Sequence, residues 1–159
     1  HEPSRRQRQM CIRDSDDRID VIATDHAPHT LNEKSNNYLN CPSGGPLVQH
    51  SLNMMFEHYL NKKITLEKIV QKMCHNPAIL FRVNKRGFIR KNYFADIVII
   101  DPRKNYTVDS NNILYKCGWS PFEGTKFNSQ ITHTFINGNL VYENGLINEH
   151  FRGKKISFE

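Results

Sequence analysis

The sequence lacks several things, and each shortage excludes a class of protein. No apolar run approaches the ~20 residues that a membrane-spanning helix needs, so no membrane partner is expected. Its four cysteines, Cys11, Cys41, Cys74 and Cys117, are widely spaced and form no Cys-x-x-Cys pair. A disulfide scaffold and a thiolate zinc site are therefore not expected, and a reducing cytosol is the default. No apolar leader follows the charged start, which agrees with a cytoplasmic location. There is no internal repeat and no low-complexity segment. Lys and Arg number 22 against 16 Asp and Glu, yet no basic run lies beyond the first fourteen residues. Scattered positive charge gives no nucleic-acid footprint, so no nucleic-acid partner is expected. What remains is 159 residues, 38% hydrophobic and 24% charged, the composition of one globular domain or two small ones.

The first fifteen residues, HEPSRRQRQMCIRDS, carry almost no apolar side chains and no helical or strand period. The run RRQRQMCIRDS is similar to translated sequencing-adapter sequence. Residues 1–15 therefore read as a non-native tail and are set aside. A foreign tail would make this chain the C-terminal piece of a longer protein.

Ile19 to Thr24 is a β-rich run that ends abruptly in Asp25-His26-Ala27-Pro28-His29. A buried strand followed at once by polar residues is how an α/β protein delivers side chains to its active face. A loop follows from Thr30 to Gly45. Pro46 to Leu60 reads as a helix, with Leu47, Val48, Leu52, Met55, Phe56, Tyr59 and Leu60 on one face. Thr65 suits the N-cap of a second helix through Cys74, with Leu66, Ile69, Val70 and Met73 inward. Asn76-Pro77 predicts a restart, with Asn76 as cap and Ala78 to Phe81 buried. After Gly87 the period becomes that of strands. Ala95 to Asp101 is a strand closed by Pro102. Gln130–Ile136 and Asn139–Tyr142 flank Asn137-Gly138, the type I′ hairpin signature. Phe88-Ile89 and Leu146-Ile147 are weaker strand candidates. Residues 16–83 are thus α/β-like and 84–159 mostly β. One strand and its helices cannot close a parallel barrel of ~250 residues. The first half looks like the end of such a barrel.

Asp25-His26-Ala27-Pro28-His29 is the densest chemical constellation. An Asp at a strand end can ligate a metal and take a proton from metal-bound water. His29 offers a nitrogen donor that could face a carboxylate or a developing oxyanion. Pro28 stiffens the turn between the two His residues. On spacing alone, an ordinary capping turn explains the motif equally well.

The run Val21 to Thr30, followed by Glu33-Lys34, resembles the signature at the end of the eighth barrel strand in dihydroorotases of the amidohydrolase superfamily. Cys41-Pro42-Ser43-Gly44 is similar to the family's Ala-Pro-x-Gly substrate loop. Asn76-Pro77-Ala78 with Phe81, Gly87 with Ala95 to Asp101, Trp119-Ser120-Pro121-Phe122 with Gly124, and Thr134 to Tyr142 continue the resemblance from about Asp16 to the C-terminus. It implies an α/β fold: the C-terminal end of a metal-dependent hydrolase (β/α)8 barrel, followed by a small β-sandwich-like domain. It also implies zinc-dependent, reversible cyclisation of N-carbamoyl-L-aspartate to L-dihydroorotate in pyrimidine synthesis. By carry-over, Asp25 ligates zinc and acts as the catalytic base and acid, His29 contacts substrate, and Ser43 and Gly44 contact it through their backbone. His26 receives no catalytic role and is expected to orient Asp25 or pack in the turn.

The sequence departs from the family in two ways. The family's early His-x-His pair, its bridging Lys or Asp and its two middle His ligands are absent here, and Asp25 alone does not make a catalytic zinc site. The isolated chain is therefore expected to be inactive. Cys41 stands where the family has Ala. The remaining candidates take bland readings. His50, His58 and His75 are expected at the surface or its boundary, and Trp119 and Phe122 are expected to anchor the β-domain. The expected partner is a small-molecule substrate, with a homo-oligomer left open. Two rivals remain. One is another cyclic amidase, a dihydropyrimidinase or allantoinase, which typically lacks a His at the position of His29. The other is an inactive dihydroorotase-like scaffold.

Overall fold

The computed structural model describes residues 17–159, so the stretch 1–15 lies outside the described residues. Among them, the helices are α1 Leu31–Lys34, α2 Ser51–Leu60, α3 Leu66–Val70 and α4 Asn76–Leu80. The strands are β1 Ile97–Asp101, β2 Tyr106–Thr107, β3 Lys126–Phe127, β4 Gln130–Ile136, β5 Asn139–Glu143 and β6 Leu146–Ile147. The chain packs as two units. One comprises the described residues up to Ile22 with His58–Ile100 and Ile131–Glu159, and the other joins Ala23–Glu57 to Asp101–Gln130.

In the first unit, Thr65 caps α3 as its sequence suggests, its hydroxyl accepting from the Lys68 amide at 3.2 Å. The helix does not stop at Cys74. It runs through a π turn, Gln71–His75, straight into α4. Asn76 is not a cap: its φ of −60° is helical. The reason lies in Pro77, which has no N–H and so orphans one carbonyl wherever it enters a helix. Here the Asn76 amide reaches back to the Gln71 carbonyl. The Lys72 carbonyl is thereby free for the Ile22 amide, at 3.1 Å.

That bond explains a second departure. Ile19 to Thr24 forms no strand among the described residues. An extended run becomes a strand only by pairing, and the backbone groups of this one pair with helix residues instead. Lys72, fully buried, donates its ammonium to the Ile19 carbonyl and lies 3.2 Å from the Asp17 carboxylate. The Asn76 side chain donates to the Asp20 carbonyl at 2.6 Å. Ala78 is buried as expected, but Ile79, Leu80 and Phe81 are exposed. The helix turns Ala78, not the three larger side chains, toward Gly87.

The four-stranded sheet has the order β1-β4-β5-β6. The β4–β5 hairpin turns at Asn137, φ 53°, and Gly138, φ 82°, both left-handed as a type I′ turn demands. A bulge falls between Thr134 and Phe135. Leu146-Ile147 joins the sheet as β6. Phe88-Ile89 does not, because the Phe88 ring stacks on His75 at 4.3 Å and lies under the Arg90 guanidinium at 4.2 Å.

The second unit pairs β2 with β3 antiparallel. Its core is Met55 and Phe56 of α2, with Val108 and Phe127. The predicted helix from Pro46 begins as a 3-10 turn, Val48–His50, before α2. Val48 and Leu60, placed inward by the helical period, are exposed.

Gly87 tests the packing of the first unit. Its φ is 78°, and a Cβ there would lie 2.5 Å from the Ala78 Cβ and 2.8 Å from the Cys74 carbonyl. Gly145, φ 97°, has nothing within 4 Å of that position. Gly87→Ala is expected to cost more than Gly145→Ala, which should lose only about 1 kcal/mol of stability to added backbone strain. Urea denaturation of both variants checks this, and equal losses would show that Gly87 is not closely packed.

Candidate active site

Asp25 is exposed and adopts φ 47°, a left-handed conformation that is uncommon outside glycine, though Asp and Asn tolerate it. The turn after it is tight. The His29 amide donates to the Ala27 carbonyl at 2.9 Å, closing a three-residue turn with Pro28 at its centre. Thr30 then starts α1 with a reciprocal cap. The Glu33 amide donates to the Thr30 hydroxyl at 3.3 Å, and the Thr30 amide donates to the Glu33 carboxylate at 2.7 Å. The Thr30 amide foremost, and the Thr30 hydroxyl, which also donates to that carboxylate at 2.8 Å, hold the Glu33 carboxyl below its usual pKa.

The Cys41–Gly45 loop lies against this turn. The Ala27 amide donates to the Gly45 carbonyl at 3.1 Å, and His26 and Gly45 form an isolated parallel bridge. Gly44 has φ 86°, and a Cβ on it would lie 2.7 Å from the Ala27 Cβ. Only glycine fits such an approach. Lys34 of α1 holds the other end of the loop, donating to the Pro42 carbonyl at 2.6 Å. The turn bearing Asp25 and His29 and the loop bearing Ser43 and Gly44 are thus packed together within one unit. Cys41 is half-buried, its thiol 3.5 Å from the Lys34 carbonyl, and its environment is structural.

His26 packs in the turn and caps a helix. Its Nδ1 accepts from the Leu47 and Val48 amides at 3.1 and 3.4 Å, at the mouth of the 3-10 turn. An Nδ1 that accepts leaves the proton on Nε2. The ring also lies 5.2 Å from that of Tyr115.

Segment 101–130 supplies residues that the sequence signals poorly. Trp119 Nε1 donates to the His29 carbonyl at 2.7 Å. The Gln49 amide donates to the Tyr115 hydroxyl at 2.8 Å, and its side chain bonds the Asn112 carbonyl at 2.7 Å and the Leu114 amide at 2.9 Å. His50 overturns its surface reading: it is fully buried. Tyr106, Tyr115, Phe122 and Phe127 surround it, with ring centroids 5.8 to 6.2 Å away. Its Nδ1 lies 3.3 Å from the Ser120 hydroxyl, while Nε2 has no partner among the described residues. An imidazolium there would be desolvated, and burial pushes the His50 pKa from 6.5 down to about 4. The sequence signal it did give, a His on the helix expected from Pro46 to Leu60, is too common to decide burial.

Among the described residues, no group of three or more His, Cys, Asp and Glu side chains is arranged to hold a metal ion. Asp25 offers one carboxylate, and the Nδ1 of neighbouring His26 is committed to two backbone amides. A catalytic zinc site takes about three protein ligands. The described residues alone do not fit the zinc that the resemblance implies.

The Amidohydrolase family model matches residues 3–141. The chain belongs to the amidohydrolase family. The matched span reaches into residues 1–15 and takes in the turn, the loop and the segment that covers them. A dihydroorotase of Pyrococcus furiosus is 34% identical over 140 residues, which is 88% of this chain and 33% of that protein. One of Clostridium acetobutylicum is 37% identical over 129 residues, 80% of this chain and 30% of that protein. The chain thus spans about a third of the length of the curated relatives it matches. Among solved structures, a D-hydantoinase superposes with a TM-score of 0.79 at 20% identity over 87% of this chain and 32% of its own. An L-hydantoinase (dihydropyrimidinase) from Arthrobacter aurescens gives 0.77 at 27%, over 88% of this chain and 32% of its own. The expected amidohydrolase fold class is borne out, since the α/β architecture described above is shared with these structures.

His50 predicts a pH window for this amidohydrolase. The unfolded imidazole takes a proton near its ordinary pKa of 6.5, the folded one only near 4. Below pH 6.5 the unfolded state binds more protons, so stability is full above that pH, falls on acidification and stops falling below pH 4. The loss attributable to His50 is at most about 3 kcal/mol. Stability measured against pH should show it, and His50→Leu should flatten that window. An unchanged slope in the variant would mean that another group titrates.

Proposed function

We propose that the protein is a cyclic amide hydrolase of dihydroorotase type, interconverting L-dihydroorotate and N-carbamoyl-L-aspartate. The observation that carries this reading is the packing of the Asp25–His29 turn against the Ser43–Gly44 loop, which puts an exposed carboxylate, a histidine and a bare backbone loop in one place. Each has a task in opening a cyclic amide. Asp25 takes the proton of the attacking water and passes it to the departing ring nitrogen; in ring closure the same carboxyl works in reverse. Its left-handed backbone is the kind of outlier that active sites hold in place. His29 donates to the ring carboxylate of the substrate. Peptide groups of Ser43 and Gly44 bond its polar edge.

Zinc belongs to the same proposal, with Asp25 as one ligand and the others from outside the described residues. Residues 16–83 as the end of a barrel and 84–159 as a small β-domain are likewise proposed, on the passage from helices ending at Leu80 to strands starting at Ile97. A cytoplasmic location, a small-molecule substrate and a place in pyrimidine synthesis belong to the same proposal, on the likeness to the dihydroorotases; no helix among the described residues is long and apolar enough to cross a membrane. A second reading, a dihydropyrimidinase, draws on the 27% identity to the L-hydantoinase. The two differ at the substrate carboxylate, which hydantoin and dihydrouracil lack. An unpaired carboxylate would oppose binding, and His29 answers it.

Two substitutions in the natural protein that carries this chain test the roles. Asp25→Ala should cut kcat by about a hundredfold or more, the scale of a lost general base. Retention of a tenth or more of kcat would remove Asp25 from that role. His29→Ala should lower kcat/KM for dihydroorotate by about ten- to a hundredfold, through a lost charge-assisted contact of roughly 1.5–3 kcal/mol. Dihydrouracil, measured alongside, should be affected far less; equal losses on both would mean that His29 supports the site as a whole.

A further inference from the structure

We infer that Trp119 is a positioning residue, fixing the direction in which His29 meets the substrate. The inference rests on the reading of His29 as a substrate contact. A side chain leaves its Cα in a direction set by the two peptide groups that flank it. Both peptides flanking His29 are bonded. The amide before the Cα donates to the Ala27 carbonyl at 2.9 Å. The peptide after it is held at both ends: its N–H, from Thr30, donates to Glu33 at 2.7 Å, and its carbonyl accepts from Trp119 Nε1 at 2.7 Å. The first two bonds are local to the turn. The Trp119 bond comes from 90 residues away and ties the turn to a different segment.

The same indole meets the other half of the site. Its Cη2 lies 3.8 Å from where a Cβ on Gly45 would sit, ordinary contact distance. One ring therefore lies beside Gly45, at the end of the loop that carries Ser43 and Gly44, while its N–H holds the turn that carries His29. The indole N–H can only donate, so the bond has one polarity and no alternative form. Around Trp119 the chain is built for placement: Ser120 is buried beside His50, and the Phe122 amide donates to the Ser120 hydroxyl at 3.2 Å. Trp119 touches no reacting atom in this account. It acts through His29, and a loosened His29 should show as poorer capture of the substrate carboxylate rather than slower chemistry.

The test is a cycle of Trp119→Phe and His29→Ala in the natural full-length protein, with dihydroorotate as substrate. Trp119→Phe keeps a ring and loses the donor. KM should rise about three- to tenfold, the span of one net hydrogen bond, with kcat changed less than twofold. In the His29→Ala background Trp119→Phe should then change KM less than twofold, because nothing remains to be aimed. Should Trp119→Phe fail to fold, benzothienylalanine at position 119 keeps the bicyclic shape without the N–H and is expected to give the same KM rise. An unchanged KM in the folded variant overturns the inference. So does the same rise in the His29→Ala background, which is the mark of a merely structural role. If the unmutated protein does not turn over dihydroorotate, the functional reading fails first, and this inference with it.

Discussion

Gly44 approaches Ala27 more closely than any residue with a side chain could, and the arrangement of the candidate site follows from that contact. A Cβ on Gly44 would stand 2.7 Å from the Ala27 Cβ. Its absence lets Gly45 accept from the Ala27 amide, which sets the loop beside the turn. The chain then passes through buried Pro46 to amides that His26 caps. Gln49 and His50 follow and are gripped by segment 106–127. Asp25, His29, Ser43 and Gly44 are exposed or half-buried, yet the backbone of His29 and of the neighbouring Ala27, Thr30 and Gly45 is hydrogen-bonded. Such a site gains its geometry from polar contacts under the functional groups rather than from contacts to them.

Buried polar groups in both units show the same economy. Lys72 is buried, and its ammonium finds a carbonyl and a carboxylate. Its own carbonyl, orphaned by the Pro77 register, finds the Ile22 amide. Asn84 Oδ1, Ser129 Oγ and His50 Nε2 are the exceptions, without a partner among the described residues, the last of them inside an aromatic cage. A neutral imidazole tolerates that better than a charged one, which is why the cage lowers its pKa.

The sequence was most informative where structure is local. Thr65 as a cap, Asn137-Gly138 as a turn and the Asp25–His29 turn all depend on neighbours within a few residues. The meeting of turn and loop was legible only through the family resemblance, since fifteen or more residues separate Ala27 from Gly44. Four features were not legible, each for a physical reason. A two-residue strand such as β2 has no period to detect. The π turn depends on what Pro77 leaves unpaired and on Ile22 being there to use it. Burial of His50 and Lys72 depends on partners distant in the chain. Ile19 to Thr24 has strand composition, but composition does not supply a partner strand, and its backbone bonds to helix residues instead.

In the proposed function, this turn and loop serve a substrate bearing a ring carboxylate. The most direct measurement is the ratio of kcat/KM for dihydroorotate to kcat/KM for dihydrouracil in the natural protein. A ratio well above one, on the order of a hundred or more if a charged contact of His29 decides it, is the predicted result. A ratio below one would contradict the account and make the protein a dihydropyrimidinase.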